Sequence, residues 1–143
     1  MKSLNFDDGR KSFMVNDDPA RVIRFNPADP EIINRLLEME KEFEEYQVPE
    51  GIELNRDGTP KGDVEIAGAY VREFSNKMRE AFNRTFNADV YDTIFDGQSP
   101  LCIPNGKYLF EGVIDGLIEI MKPAFKEYQE GSRKRMNKYL GDL

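Results

Sequence analysis

The chain has no histidine and no tryptophan, and one cysteine, Cys102, among 143 residues. Without histidine the commonest general base and the commonest metal ligand are both missing. A lone cysteine forms no intrachain disulfide, and with no histidine in the chain it lacks the usual activating partner. Cys102 also stands between Leu101 and Ile103, a setting that favours packing over reactivity. Neither Gly-x-x-x-x-Gly-Lys-[Ser/Thr] nor Gly-x-Gly-x-x-Gly occurs, so there is no recognisable phosphate cradle. No apolar run approaches the roughly 18 residues of a membrane span, and the beginning, MKSLNFDDGRKSF, lacks the apolar centre of a secretory signal. The expectation is a soluble intracellular protein that is not an enzyme and carries no cofactor.

Positive charge is also in short supply. Twenty Lys and Arg face 27 Asp and Glu, a net charge of −7, which disfavours loose association with nucleic acid or anionic membranes. The imbalance is local. Between Glu38 and Glu53 seven acidic residues are opposed by Lys41 alone, whereas Arg133, Lys134, Arg135 and Lys138 reverse the sign near the end. Solvated helix faces account for most such runs, and pairing between subunits is the sharper alternative. Asp7-Asp8 and Asp17-Asp18 offer four carboxylates to a hard cation, but their spacing matches no calcium loop and Asp is a favoured turn residue.

What is present organises the chain as one α+β domain over residues 1–143. Residues 1–25 read as a three-stranded antiparallel meander. Ser3-Leu4-Asn5-Phe6 alternates polar and apolar, Asp7 to Lys11 is a Gly-containing loop, and Ser12-Phe13-Met14-Val15 follows. Asn16-Asp17-Asp18-Pro19 makes the next turn, and Arg21 to Phe25 the third strand. Three to four helices are expected after it, over 29–46, 63–86, 88–95 and 107–140. The first has Asp29 at its N-cap and Pro30 at its first position, followed by Ile32, Leu36, Met39 and Phe43 at helical spacing. The loop 47–62 holds Pro49, Gly51, Gly58, Pro60 and Gly62. Ala67, Tyr70, Val71, Phe74, Met78, Phe82 and Phe86 stripe the second helix, which Asn87 ends; Asp96-Gly97 closes the third. Residues 97–106 form an apolar connector between prolines, and Pro123 is expected to kink or break the last helix.

Ten Phe, six Tyr and six Met lie mostly on these stripes, where core packing is their default use. The last helix nevertheless carries its stripe past Pro123, beyond what a small core needs. Met121, Phe125, Tyr128, Met136 and Tyr139 are therefore the expected contacts for a helical partner or a second copy, with Arg133 and Arg135 steering an acidic surface toward them.

The segments RFNPADPEIINRL, FNRTFNADVYDTIFDG, SPLCIPNGKYLFEGVIDGLIEIM and SRKRMNKYL resemble a family of small tail-gene proteins from phages and prophages of Gram-positive bacteria. The resemblance covers about residues 20–46 and 80–140 and includes no catalytic signature. It implies a tail assembly chaperone in the host-cell cytoplasm, which binds the long helical tape measure protein and delivers it for tube polymerisation. Two other readings stay open: a minor structural component retained in the tail, and an acidic inhibitor of a host defence protein using the Glu38–Glu53 run.

Overall fold

Asn16 and Asp17 both take positive φ, 50° and 58°. Two successive left-handed residues make the type of two-residue turn whose twist matches a hairpin, and Asn and Asp tolerate it best after Gly. They join strand β1 (Lys11–Val15) to strand β2 (Asp18–Phe25). The computed structural model containing them describes residues 1–46, 55–56, 61–62 and 64–140, the side chains of residues 139 and 140 excepted. Among the described residues four helices follow the hairpin: α1 (Pro30–Glu44), α2 (Val64–Phe86), α3 (Tyr91–Phe95) and α4 (Leu109–Leu140). The fold is α+β.

Among the described residues the sheet has two antiparallel strands, not the three of the expected meander. Ser3–Phe6 pairs with neither strand, and residues 1–8 are exposed throughout. Asp7 to Arg10 form local turns in place of a hairpin loop: Gly9 N donates to Asp7 Oδ1 and Arg10 N to Asp8 Oδ1. The register runs from Lys11 opposite Phe25 to Met14 opposite Val22, then shifts so that Val15 faces Asp18. Pro19, Ala20 and Arg21 fall in this bulge, which suits Pro19 because it has no N–H to give a ladder. Phe13, Val15, Ile23 and Phe25 pack toward the core, while Met14 and Val22 face outward.

The strand-to-helix junction is held by side chains. Asn26 Oδ1 accepts from Ala28 N and Asp29 Oδ1 from Glu31 N, the latter at 2.9 Å, with Asp29 extended at φ −69°, ψ 114°. Asp29→Ala is expected to cost about 0.5–2 kcal/mol. Denaturant melts of equal slope would show this as a lower midpoint, and an unchanged midpoint would move the cap to Asn26.

α2 ends in a Schellman closure. Asn87 is left-handed (φ 50°), Ala88 N bonds Asn83 O at 3.1 Å and Asn87 N bonds Arg84 O at 3.2 Å. The same Asn83 turns its side-chain oxygen to Val90 N and Tyr91 N, filling the empty N-terminus of α3. Ala88 therefore belongs to the end of α2, and α3 starts at Tyr91 instead of 88. Left-handed Asp96 and Gly97 stop it. α1 and α4 are likewise shorter than 29–46 and 107–140. The loop expected at 47–62 and the helix start at 63 fall mostly outside the described residues. In the connector, Pro100 is fully buried, Leu101 packs on the core, and Pro104–Gly106 makes a short 3-10 turn.

α4 continues helically through Pro123, so the expected break does not occur. Pro123 is exposed, as is Glu119, whose carbonyl loses its partner there. Water can hydrate that carbonyl, which lets the helix persist with one bond missing.

Every element contributes to one core. Ile23 and Phe25 meet Ile32, Leu36 and Met39 of α1, Phe74, Met78, Phe82 and Phe86 of α2, Ile94 and Phe95 of α3, and Ile114, Leu117 and Met121 of α4. At its α1–α2 end, Phe74 packs edge-on to Phe43 at 5.5 Å and to Tyr46 at 5.4 Å. The Tyr46 hydroxyl is buried and makes no hydrogen bond among the described residues.

Burial raises the phenol of Tyr46 above its ordinary value of 10.0, with Glu73 adding to it. Burial likewise raises Tyr70, and raises Tyr91 against the opposing Ser75 hydrogen bond and Arg79 charge. A raised phenol is more tightly protonated in the folded chain than in the unfolded one. Its contribution to stability is complete below about pH 10 and is lost as pH rises through the folded value. An alkaline titration followed by tyrosinate absorbance is expected to show part of the six tyrosines ionising late, together with loss of the folded circular dichroism. Simultaneous ionisation of all six with the fold intact would refute this.

Candidate interaction surface

α4 divides into two halves of different surroundings. Ile114, Leu117 and Met121 are buried against the core; beyond Phe125 every residue through Lys138 is exposed except half-buried Ser132. An α-helix advances 100° per residue, so Met121, Phe125, Tyr128, Ser132, Met136 and Tyr139 fall within one narrow face. Phe125 is half-buried and stacks on Tyr128, the ring centroids 5.8 Å apart and the planes 14° from parallel. Tyr128 is 40% and Met136 53% exposed.

The core end of this face opens into an apolar notch between α1 and α4. Its volume is about 160 Å³, and Ile33, Leu36, Leu37, Ile118, Met121 and Phe125 line it. Lys122 stands at its edge. Leu37 remains 56% exposed.

The residues expected to contact a partner therefore have different standings. Met121 is core, at 4% exposure, and forms part of the notch. Phe125 bridges notch and tail, Tyr128 and Met136 are exposed, and Arg133 and Arg135 are exposed beside them. The side chain of Tyr139 lies outside the described residues. The notch adds Ile33, Leu37 and Ile118. Their signal is the width of the α1 apolar arc: Ile33 and Leu37 lie one position beyond the Ile32–Leu36 stripe that the core occupies.

The charges follow the same division. The exposed end of α4 carries Arg133, Lys134, Arg135 and Lys138, whereas the second half of α1 and its cap carry the exposed Glu38, Glu42, Glu44 and Glu45. Glu42 is bonded to Arg84 at 2.7 Å. Glu50 and Glu53 of the acidic run lie outside the described residues.

A second, larger groove of about 530 Å³ separates the hairpin from the first half of α4. Phe13, Val15 and Ile23 line one side and Leu109, Val113 and Leu117 the other, with Gly112 and Gly116 between them along α4. Two cations border it and both are engaged. Arg21 donates to Thr93 O and Ile94 O, and Lys107 pairs with Asp115, whose hydrogen bond raises the Lys107 ammonium above its ordinary value.

The turn carboxylates are occupied locally. Asp7 and Asp8 accept from backbone N–H groups of their own turns, and Asp18 Oδ1 accepts from Ala20 N. Among the described residues no group of three or more His, Cys, Asp or Glu is gathered as a metal site would require. Cys102 is a half-buried free thiol. No described helix is long and apolar enough to cross a membrane. No protein-family model, curated protein or solved structure matches the chain.

Proposed function

We propose that the chain is a non-catalytic binding protein which holds an amphipathic partner helix along the outer half of α4. The partner helix would end in the notch between α1 and α4. With the resemblance of its motifs, this makes it a phage tail assembly chaperone acting in the host cytoplasm, with the tape measure protein as its partner. The supporting observation is the division of α4: an apolar face continuous with the core notch extends some fifteen residues past the last buried contact. Such a face gains stability by covering apolar surface, at about 25 cal/mol per Å² removed from water. The net acidity keeps the uncomplexed chain soluble, and the basic end of α4 attracts acidic residues of the partner, a contribution that weakens with salt.

A chain truncated after Lys122 is expected to keep its helical circular dichroism and to lose capture of a tape measure fragment. Phe125→Asp in the full chain is expected to do the same. Unfolding of the truncated chain would make the tail part of the core, and undiminished capture by both variants would exclude this surface. Mass spectrometry of intact particles separates the roles: a chaperone is absent from them, and a minor structural component is present stoichiometrically.

A further inference from the structure

Ser3-Leu4-Asn5-Phe6 has the alternation of a half-buried strand but lies exposed, buried against no other part of the chain among the described residues. Leu4 is 85% and Phe6 72% exposed. On an extended backbone these two side chains share a face about 7 Å apart. The root of the arm lies against Asn26. Asn26 Nδ2 donates to Asp8 O, and the backbone at Gly9 (φ +73°) passes so close that a Cβ there would come within 2.7 Å of Asn26 Nδ2.

The groove between the hairpin and α4 has the complementary features. Gly112 and Gly116 lie one turn apart along it, about 6 Å. A Cβ added to either would meet nothing within 4 Å, so the helix there can admit a closely approaching chain. Glu111, Asp115 and Glu119 form an exposed acidic row one position before Gly112, Gly116 and Ile120. Asp115 is paired with Lys107 and Glu111 accepts from Tyr108 N, but the row keeps a net negative charge, and Lys2 at the start of the arm has the opposite sign.

We propose that residues 2–6 of one copy lie in this groove of a second copy, with Leu4 and Phe6 over Gly112 and Gly116 and Lys2 against the acidic row. The exchange is reciprocal, because each copy carries one arm and one groove and a two-fold axis satisfies both. An aromatic side chain buries about 150–250 Å². Two Phe and two Leu, with the groove walls they cover, reach on the order of 1,000–1,500 Å², the size a specific dimer needs. The missing third strand of the meander is on this view supplied to a neighbour. The site is separate from the outer half of α4.

Sedimentation velocity of the full chain over a concentration series is expected to show a reversible dimer. Phe6→Asp alters an exposed side chain, and Gly116→Leu fills the groove; each is expected to weaken the dimer at least about tenfold with circular dichroism unchanged. Should Gly116→Leu misfold, Gly112→Ala gives the smaller obstruction at the neighbouring turn. In a Cys102→Ser background, Leu4→Cys mixed with Gly112→Cys is expected to yield a disulfide-linked pair containing one of each chain. The chain truncated after Lys122 is expected to keep the dimer. A parent that stays monomeric at high micromolar concentration overturns the proposal. So does a dimer that survives Phe6→Asp or the folded glycine variant, one lost on truncation after Lys122, or mixed cysteine chains that do not link.

Discussion

Phe82→Ala is expected to lower the stability of the fold by about 3–5 kcal/mol, through lost burial and the cavity left behind. Phe82 is fully buried about one turn before the end of α2, and its ring meets Phe95 edge-on at 5.3 Å and Tyr91 at 6.5 Å. Both partners belong to α3, which at five residues has no stability of its own and exists because α2 packs on it. The ring cannot be replaced by collapse, since Met39, Met78, Thr85 and Phe95 around the same core are also fully enclosed. Domains of this size are stable by only about 5–15 kcal/mol, so the loss is a large share of the total. Calorimetry is expected to show a fall in Tm on the order of 10–20 °C, at about 3–4 °C per kcal/mol. A loss below about 1 kcal/mol would mean that α3 is not seated on Phe82.

Local signals carried much of the architecture. Asp29-Pro30 marked the start of α1, Asn87 the end of α2 and Asp96-Gly97 the end of α3, because each is short-range chemistry between a side chain and the backbone beside it. The strand reading of Ser3–Phe6 failed for an equally definite reason. Alternation states that a segment suits a surface with one dry side; whether that surface exists is decided by residues far along the chain. The start of α3 was misplaced because Asn83, seven residues before Val90, supplies its cap from another helix. Pro123 signals a kink or break in the sequence, and the break is absent because the affected turn faces water, which a sequence does not show. In the candidate site the α4 stripe was legible from its period, but the notch was not. It needs Ile33 and Leu37 to lie beside Ile118 and Phe125, about 85 positions later.

Arg21 provides the test of how such distant pairings hold the two parts of the molecule together. Its side chain is only 18% exposed and forks onto the last turn of α3, with Nε 3.1 Å from Thr93 O and Nη2 2.6 Å from Ile94 O. Asp96 Oδ2 stands 4.0 Å away on the exposed side. The carbonyls at a helix end have no intrahelical donor, so the guanidinium satisfies groups that would otherwise be left bare beside the core. Arg21→Met keeps the apolar stem and removes the donors. Bonds from a charged donor contribute about 1.5–3 kcal/mol each, and partial rehydration of the two carbonyls brings the expected loss to about 2–4 kcal/mol. Arg21→Lys is expected to recover less than half, because a point charge cannot span both oxygens. Hydrogen exchange gives the sharper reading: the amides of β2 and of α3 are expected to lose protection together in Arg21→Met, while those of α1 keep theirs. Phe82 and Arg21 both hold α3, so the double variant is expected to cost less than the two single losses added, by about 0.5–3 kcal/mol. Strict additivity with unchanged exchange in β2 would show that the hairpin and α3 open independently, and that Arg21 only decorates the rim of the larger groove.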